Sequence, residues 1–190
     1  MKHAISLIFH PLTRERWCDL QSLFGERGAC GGCWCMVWRL TRSEFLMQEG
    51  AGNQAAFKRI VEAGDRPGIL AYADGQPIGW CAVAPREAYS FLGRSRVLAR
   101  LDDQPVWSVT CLFIVRPFRR KGVSVQLLRA AVAHAVQRGA RIVEGYPVVA
   151  RKDPMPDAFA WTGTTQAFQR AGFKEAARHS PTRPIMRFET

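Results

Sequence analysis

The feature that most constrains this chain is an unbroken apolar run that leads into a basic turn and an amphipathic helix, VTCLFIVRPFRRKGVSVQLLRAAVAHA. Residues 105–115 show no polar alternation, which predicts a strand buried on both faces of a sheet. Apolar residues then recur at helical spacing until Gly139, which predicts a helix over residues 121–138. A central strand that feeds directly into a helix requires a sheet with helices packed against it.

The remaining elements complete one α/β or α+β domain. A strand is predicted over residues 4–9, a helix within 11–28 and one or two short helices within 43–64. Asp74-Gly75 between two apolar runs predicts a hairpin. A strand (140–148), a loop rich in proline and charge (149–160), a helix (162–172) and two short strands finish the chain. We therefore expect residues 1–190 to form a single domain around one central mixed sheet.

The net charge is +11, from 27 basic and 16 acidic residues, and it favours an anionic partner. The charge is dispersed except for one dense patch, formed by Arg116, Arg119, Arg120 and Lys121. This clustering indicates a local anion site. Nucleic acid is not favoured as a partner, because the chain lacks interleaved aromatic and basic residues.

The apolar segments are too short for a signal-peptide core or a membrane span, so we expect a cytoplasmic protein with no membrane partner. The six cysteines are then expected to be reduced thiols.

The turn before the long helix has the chemistry of an anion pocket. A helix N-terminus exposes unpaired amides and the positive end of the helix dipole. Gly122 lets the backbone approach a ligand, and Ser124 is small enough not to obstruct it. A phosphate-binding turn and a solvated basic loop both remain open from this pattern alone.

Arg119, Gly122 and Ser124 resemble the R/Q-x-x-G-x-G/A motif of the GNAT superfamily, the acyl-CoA-dependent N-acyltransferases, with serine at the last small position. AFQRAGFKE resembles the late helix-Gly-Phe-strand signature of the same family. The resemblance implies the GNAT fold over residues 4–188, with a mostly antiparallel sheet. It implies direct transfer of an acetyl or short acyl group from acetyl-CoA to an amine of a small molecule or peptide. Family members are often dimers, so a homodimer remains an open alternative, and no metal is expected.

The resemblance also implies which residues hold the co-substrate. The central strand would present backbone groups to the pantetheine arm, and the turn would hold the phosphates. The implied residues are Phe113, Ile114 and Val115 on the strand, and Arg119, Arg120, Lys121, Gly122, Val123 and Ser124 in the turn.

The resemblance does not supply the usual acid. Phe168 stands where the family often has a tyrosine that protonates the thiolate, and Trp161 stands where it often has an asparagine. Tyr146 and Glu144 share a face at the end of the next strand, and Glu87 follows the hairpin. These three are the catalytic candidates, although each glutamate is equally compatible with a surface salt bridge.

The segment GACGGCWCMVW places Cys30, Cys33 and Cys35 within six residues. Zinc would need a fourth ligand, and a redox pair lacks its usual strand-to-helix setting. An acyl-cysteine on Cys33 or Cys35, with His10 as base, is chemically coherent.

We prefer a role for this segment in the wall of the acceptor pocket, where its aromatic side chains would enclose the substrate. The residues expected to line the pocket are Trp34, Cys35, Trp38 and Trp107.

A second function fits the same fold. Because Phe168 replaces the usual acid, the chain is also compatible with a non-catalytic module that binds or senses acyl-CoA.

Overall fold

The computed structural model describes residues 6–149 and 160–190, so the start of the expected first strand and most of the expected 149–160 loop lie outside it. Within these ranges the chain has seven strands and six α-helices. The strands are β1 (Ile8–Pro11), β2 (Gly68–Ala73), β3 (Gln76–Pro85), β4 (Trp107–Ile114), β5 (Ile142–Gly145), β6 (Lys174–Arg178) and β7 (Pro184–Glu189). The helices are α1 (Trp17–Phe24), α2 (Arg42–Met47), α3 (Ala51–Glu62), α4 (Ser90–Arg94), α5 (Val123–Gln137) and α6 (Thr165–Ala171).

The strands form one sheet in the order β1-β2-β3-β4-β5-β7-β6. Only β4 and β5 run parallel, and the other described pairs are antiparallel. Asp74 and Gly75 both have positive φ (49° and 74°), as a tight hairpin turn requires. The expected mixed, mostly antiparallel sheet flanked by helices is confirmed.

Helices cover both faces of the sheet. The apolar side of α5, which includes Leu127, Leu128 and Ala131, packs with α6 residues over one face in a single buried cluster. Helices α1 and α3 cover the other face, where Phe57 and Trp80 are fully buried. Strand β4 lies at the centre with helices on both sides, which explains its unbroken apolar sequence.

Several elements differ from those expected. Helix α5 begins at Val123 because Arg120 and Gly122 take left-handed conformations (φ 59° and 78°) that interrupt the helix before that point. Strand β5 ends at Gly145, and the short helix α4 had no sequence prediction. None of the helices in the described ranges has the length and apolar character needed to cross a membrane.

Candidate active site

The basic turn connects the end of β4 to the N-terminus of α5. Residues Arg116–Phe118 form a 3-10 turn, and Gly122 is the residue that caps α5. The amides of Val123 and Ser124 belong to the first turn of the helix, where no carbonyl of a preceding turn is available to them. A Cβ built on Gly122 would meet no atom within 4 Å, so the space above the helix N-terminus is open.

Positive charge surrounds this open space. Arg116, Arg120 and Lys121 are exposed, and within the described residues none of them forms an ion pair with a carboxylate. The Nε of Arg119 donates to the Ile114 carbonyl at 2.7 Å, which ties the turn to the end of β4. The turn therefore offers backbone donors and exposed cations beside a helix N-terminus, an arrangement suited to a phosphate.

Next to the turn, β4 and β5 separate. They pair only between Trp107–Val109 and Val143–Gly145, and β4 continues for five residues without a strand on that edge. The Leu112 amide on this edge donates to the Trp161 carbonyl at 2.7 Å. The gap between the strands thus starts near the middle of β4 and runs towards the basic turn.

The strand residues named from the sequence differ in where their backbone groups point. The Val115 amide donates to the Ile78 carbonyl at 3.1 Å, and strand alternation directs the polar groups of Phe113 towards β3 as well. The backbone groups of Phe113 and Val115 are therefore used inside the sheet, and Leu112 and Ile114 face the open edge. The sequence does not distinguish these two sets of strand residues, because it does not tell which strand lies beside each edge.

A mainly apolar cavity of about 390 Å³ lies beyond this edge. Its wall includes Trp161, whose carbonyl contacts β4, and Trp38, whose ring centroid lies 5.9 Å from that of Trp161. The remaining lining residues are Val37, Phe91, Ser95, Val97, Leu98, Ser180 and Arg183.

Arg183 is the charged group of the described cavity wall, and no sequence motif pointed to it. Its Nη1 donates to the Tyr146 carbonyl at 3.2 Å and to Thr162 Oγ1 at 3.1 Å. Burial lowers the pKa of Arg183 from its ordinary value. Its function depends on which groups surround it in space, and nothing in the local sequence reports them.

A buried polar network stands behind the cavity. Tyr146 is fully buried, and its ring stacks on Trp38 at a centroid distance of 5.9 Å. The Tyr146 hydroxyl donates to Glu144 Oε2 at 2.8 Å and accepts from Arg86 Nη1 at 2.7 Å. Since a phenol has one proton and two lone pairs, the third contact, to Ser108 Oγ at 2.8 Å, completes its hydrogen bonding.

Glu144 is equally occupied. It pairs with Arg86 at 3.3 Å and with Arg187 Nε at 2.9 Å, and Arg187 continues to Asp102 at 2.5 Å. The hydrogen bond from Arg187 lowers the pKa of Asp102, whereas burial, with the Glu144 charge, raises that of Tyr146 well above its usual value. The Tyr146 hydroxyl has no free proton or lone pair, and both oxygens of the buried Glu144 already accept from buried donors, so the contacts favour a positioning role over the expected catalytic one.

Glu87 does not join this network. Its side chain is 60% exposed and pairs with Arg100, which matches the salt-bridge alternative. Phe168 is fully buried, with its ring 4.9 Å from that of Phe173. Tyr146 and Glu144 are therefore held in the buried network, and Glu87 pairs with Arg100. None of these candidates, as the structure describes them, places a free phenol or carboxylate at the open edge.

The expected enclosure by three tryptophans is wrong, because only Trp38 lines the cavity. Trp34 packs between Trp17 and Phe24 under α1, with centroid distances of 6.2 and 5.7 Å. Trp107 lies against His134 of α5, at 6.0 Å. The sheet and the loop conformation separate these side chains.

Cys35 also lies outside the cavity lining. It is buried, and its sulfur accepts from Trp80 Nε1 at 3.1 Å. A hydrogen bond from Cys111, followed by that from Trp80, lowers the pKa of Cys35 against the effect of burial. His10 packs edge-on against Tyr72, at 5.6 Å, and no described hydrogen bond joins it to Cys33 or Cys35. Among the described residues no group of three or more potential ligands is placed to hold a metal ion.

Comparison with known proteins agrees with this architecture. The model of the family described as acetyltransferase (GNAT) family matches residues 34–150. No curated protein matches the sequence. A GNAT-family acetyltransferase structure from Listeria monocytogenes superposes with a TM-score of 0.60 at 10% identity, covering 100% of this chain and 98% of that one.

Two solved structures with coenzyme A are also similar in fold. An aminoglycoside N-acetyltransferase in complex with CoA has a TM-score of 0.56 at 17% identity, with 95% of each chain covered. The PaiA N-acetyltransferase of Thermoplasma acidophilum, also in complex with coenzyme A, has a TM-score of 0.53 at 14% identity, covering 98% of this chain and 100% of that one. At these identities the likeness concerns the fold.

Proposed function

The chain belongs to the GNAT family of acetyltransferases, and from this premise we propose that it is an N-acetyltransferase acting as one domain over residues 1–190. It transfers an acetyl or other short acyl group from acyl-CoA directly to the amine of a small molecule or peptide. The observation that carries the proposal is the continuous path from the open edge of β4 to the amides and cations at the N-terminus of α5.

Binding follows from that path. The amides of Val123 and Ser124, with Arg120 and Lys121 beside them, supply donors and charge for the pyrophosphate. The backbone of Ile114 and Leu112 faces the gap in which an extended arm adds to the strand edge. Because Leu112 already donates to the Trp161 carbonyl, an arm that uses this amide has to displace Trp161.

The chemistry requires little from the side chains. Acyl-CoA supplies a thioester, a C–N bond forms as the C–S bond breaks, and the amine loses a proton to water. A thiol with a pKa of about 8.5 is a tolerable leaving group at neutral pH without a dedicated acid. The protein contributes by holding the neutral amine and the thioester together, which supplies much of the rate.

The test is a calorimetric titration with acetyl-CoA and with CoA at low and high salt. We expect one molecule per chain, bound more weakly at high salt because the exposed cations of the turn are screened. Free-thiol release with a panel of amines then measures transfer. Absence of binding would contradict the proposal.

A non-catalytic acyl-CoA-binding module is the second candidate. It is favoured by the fully bonded Tyr146 hydroxyl and by the Leu112 amide that Trp161 already occupies. Stoichiometric acetyl-CoA binding without thiol release for any amine in the panel would support it.

A further inference from the structure

Arg183 differs from Arg86 and Arg187 in the kind of partner that it has. Arg86 and Arg187 are both paired with the carboxylate of Glu144. Arg183 contacts only neutral oxygens, those of Tyr146 and Thr162, and none of the ion pairs within the described residues includes it. A half-buried cation beside apolar walls is costly unless an anion pairs with it.

The guanidinium also has donors to spare. Both of its protein contacts use Nη1. No hydrogen bond to a described residue uses Nε or Nη2, and these two donors have the spacing that binds a carboxylate through two parallel hydrogen bonds. The other polar residues in the cavity wall are Ser95 and Ser180, and neither carries a charge.

The opposite wall of the cavity is aromatic. Trp38, Phe91 and Trp161 line it, and Phe91 lies edge-on to Trp38 at a centroid distance of 4.9 Å. At about 390 Å³ the cavity is at the small end of the range for ligand pockets, about 300–1,000 Å³. These walls suit a compact ligand with an aromatic or branched apolar side chain.

The position of Trp161 orients such a ligand. Its side chain lines the cavity while its carbonyl contacts Leu112 on the open edge of β4. An amine directed towards that edge leaves the remainder of the ligand between the aromatic rings and Arg183. Polycationic acceptors do not fit, because the described lining offers a cation and no carboxylate.

We infer that the cavity takes a small amine that carries a carboxylate and an apolar or aromatic side chain, the class of the apolar α-amino acids, with the carboxylate on Arg183. The identification of this ligand as the acyl acceptor rests on the proposed function. The binding site itself does not depend on it.

The experiment compares three probes that differ by one group each: phenylalanine, phenethylamine without the carboxylate, and 3-phenylpropionate without the amine. Binding to the full chain, free and saturated with CoA, is measured by calorimetry and by tryptophan fluorescence. We expect phenylalanine and 3-phenylpropionate to bind at least about tenfold more tightly than phenethylamine, which corresponds to about 1.4 kcal/mol.

Two variants and one control locate the effect. Arg183→Gln should remove the preference for a carboxylate, and Arg183→Lys should keep part of it because the charge remains without the paired donors. Arg178→Gln removes an equal charge from exposed β6, where Arg178 pairs with Glu175, and should leave the preference unchanged. Thermal unfolding of each variant shows whether the fold is intact, and if Arg183→Gln does not fold, Arg183→Lys supplies the comparison.

Each outcome has a definite meaning. Equal binding of phenylalanine and phenethylamine, a preference that survives Arg183→Gln, or no binding of any probe would overturn the inference. A carboxylate preference without release of CoA thiol from acetyl-CoA and phenylalanine would leave the site standing and count against the proposed transfer. Equal transfer to phenylalanine and phenethylamine would uphold the proposed function and contradict only the inference that Arg183 binds a carboxylate.

Discussion

The hydroxyl of Tyr146 donates its single proton to Glu144 at 2.8 Å, and both side chains are almost completely buried. Arg86 and Ser108 fill the remaining hydrogen-bonding capacity of the phenol. Trp38 stacks on the ring of Tyr146, so this network lies directly behind the part of the cavity wall that Trp38 forms. Proton transfer by Tyr146 would first require that these contacts break.

Replacing Tyr146 with phenylalanine separates positioning from acid catalysis. Tyr146→Phe leaves Arg86 and Ser108 without their buried acceptor, so we expect the free energy of unfolding to fall by about 2–4 kcal/mol. The pH dependence of kcat should keep its shape, because the phenol is not the group that protonates the thiolate. Urea unfolding and a pH profile of thiol release are the two measurements.

Tyr72→Phe is the matched control. Tyr72 donates to Asp19 at 2.6 Å on the α1 side of the sheet, so the same chemical change should cost about 1–3 kcal/mol without affecting the cavity. If Tyr146→Phe instead keeps full stability and eliminates one limb of the pH profile, Tyr146 is the general acid.

The two glutamates named from the sequence should differ in how much they contribute to the free energy of unfolding. Glu144→Gln leaves the buried Arg86 without a counter-charge and Arg187 with Asp102 alone, and we expect a loss of about 3–5 kcal/mol in unfolding free energy. Glu87→Gln breaks an exposed pair with Arg100 and should cost less than about 1 kcal/mol. Chemical denaturation checks both, and a Glu144→Gln protein of normal stability with lost turnover would return this carboxylate to the chemistry.

The order of elements was predictable because strand and helix periods, turn residues and caps are local signals. Asp74-Gly75 closes the hairpin, as the sequence indicated. The register of β4 was not predictable, because the partner of each backbone group depends on which strand lies beside it. This is why the sequence did not distinguish Leu112 and Ile114, which face the open edge, from Phe113 and Val115, which face β3.

The sequence carries a local signal for the candidate site only at the basic turn, where a glycine, the cations and a helix start are adjacent. Trp34 and Trp38 are four residues apart, yet positive φ at Trp34 and Cys35 turns the chain between them and sends the rings into different clusters. Arg183 carries no local signal, because an arginine in a turn resembles any solvated cation until its neighbours are known.

The cysteines should differ in their reactivity towards an alkylating reagent. Cys18 and Cys30 are exposed, whereas burial raises the pKa of Cys33 to about 11, so Cys33 remains a thiol at neutral pH. We expect two fast additions by intact mass spectrometry, both lost in a Cys18→Ser, Cys30→Ser double variant. Protection of Cys30 together with stoichiometric zinc would show that the segment binds metal.

His134 should make stability depend on pH. Burial lowers the pKa of His134, and the nearby charges of Arg138 and Arg66 act in the same direction. As the pH falls below about 6.5, the unfolded chain binds a proton that the folded His134 does not, so stability decreases. Unfolding free energies at pH 7.5 and 5.5 should therefore differ less in His134→Gln than in the wild type. His179→Gln, at an exposed position, serves as the control. If the stability difference between the two pH values is the same in His134→Gln as in the wild type, the assignment is contradicted.

The two ends of α5 provide a matched test of the phosphate site. Gly122 and Gly139 lie at opposite ends of the helix with φ of 78° and 90°, and a Cβ on either meets no atom within 4 Å. Gly122→Ala and Gly139→Ala should therefore carry a similar conformational cost, about 1–2 kcal/mol, from a left-handed alanine.

Of the two glycines, only Gly122 adjoins the first amides of α5, where we place the pyrophosphate. We expect Gly122→Ala to weaken acetyl-CoA binding at least about tenfold by calorimetry, while Gly139→Ala binds like the wild type. Equal affinity in the two variants would mean that the phosphates do not approach this helix terminus. Equal losses in both would mean that the strain, and not the contact, reduces binding.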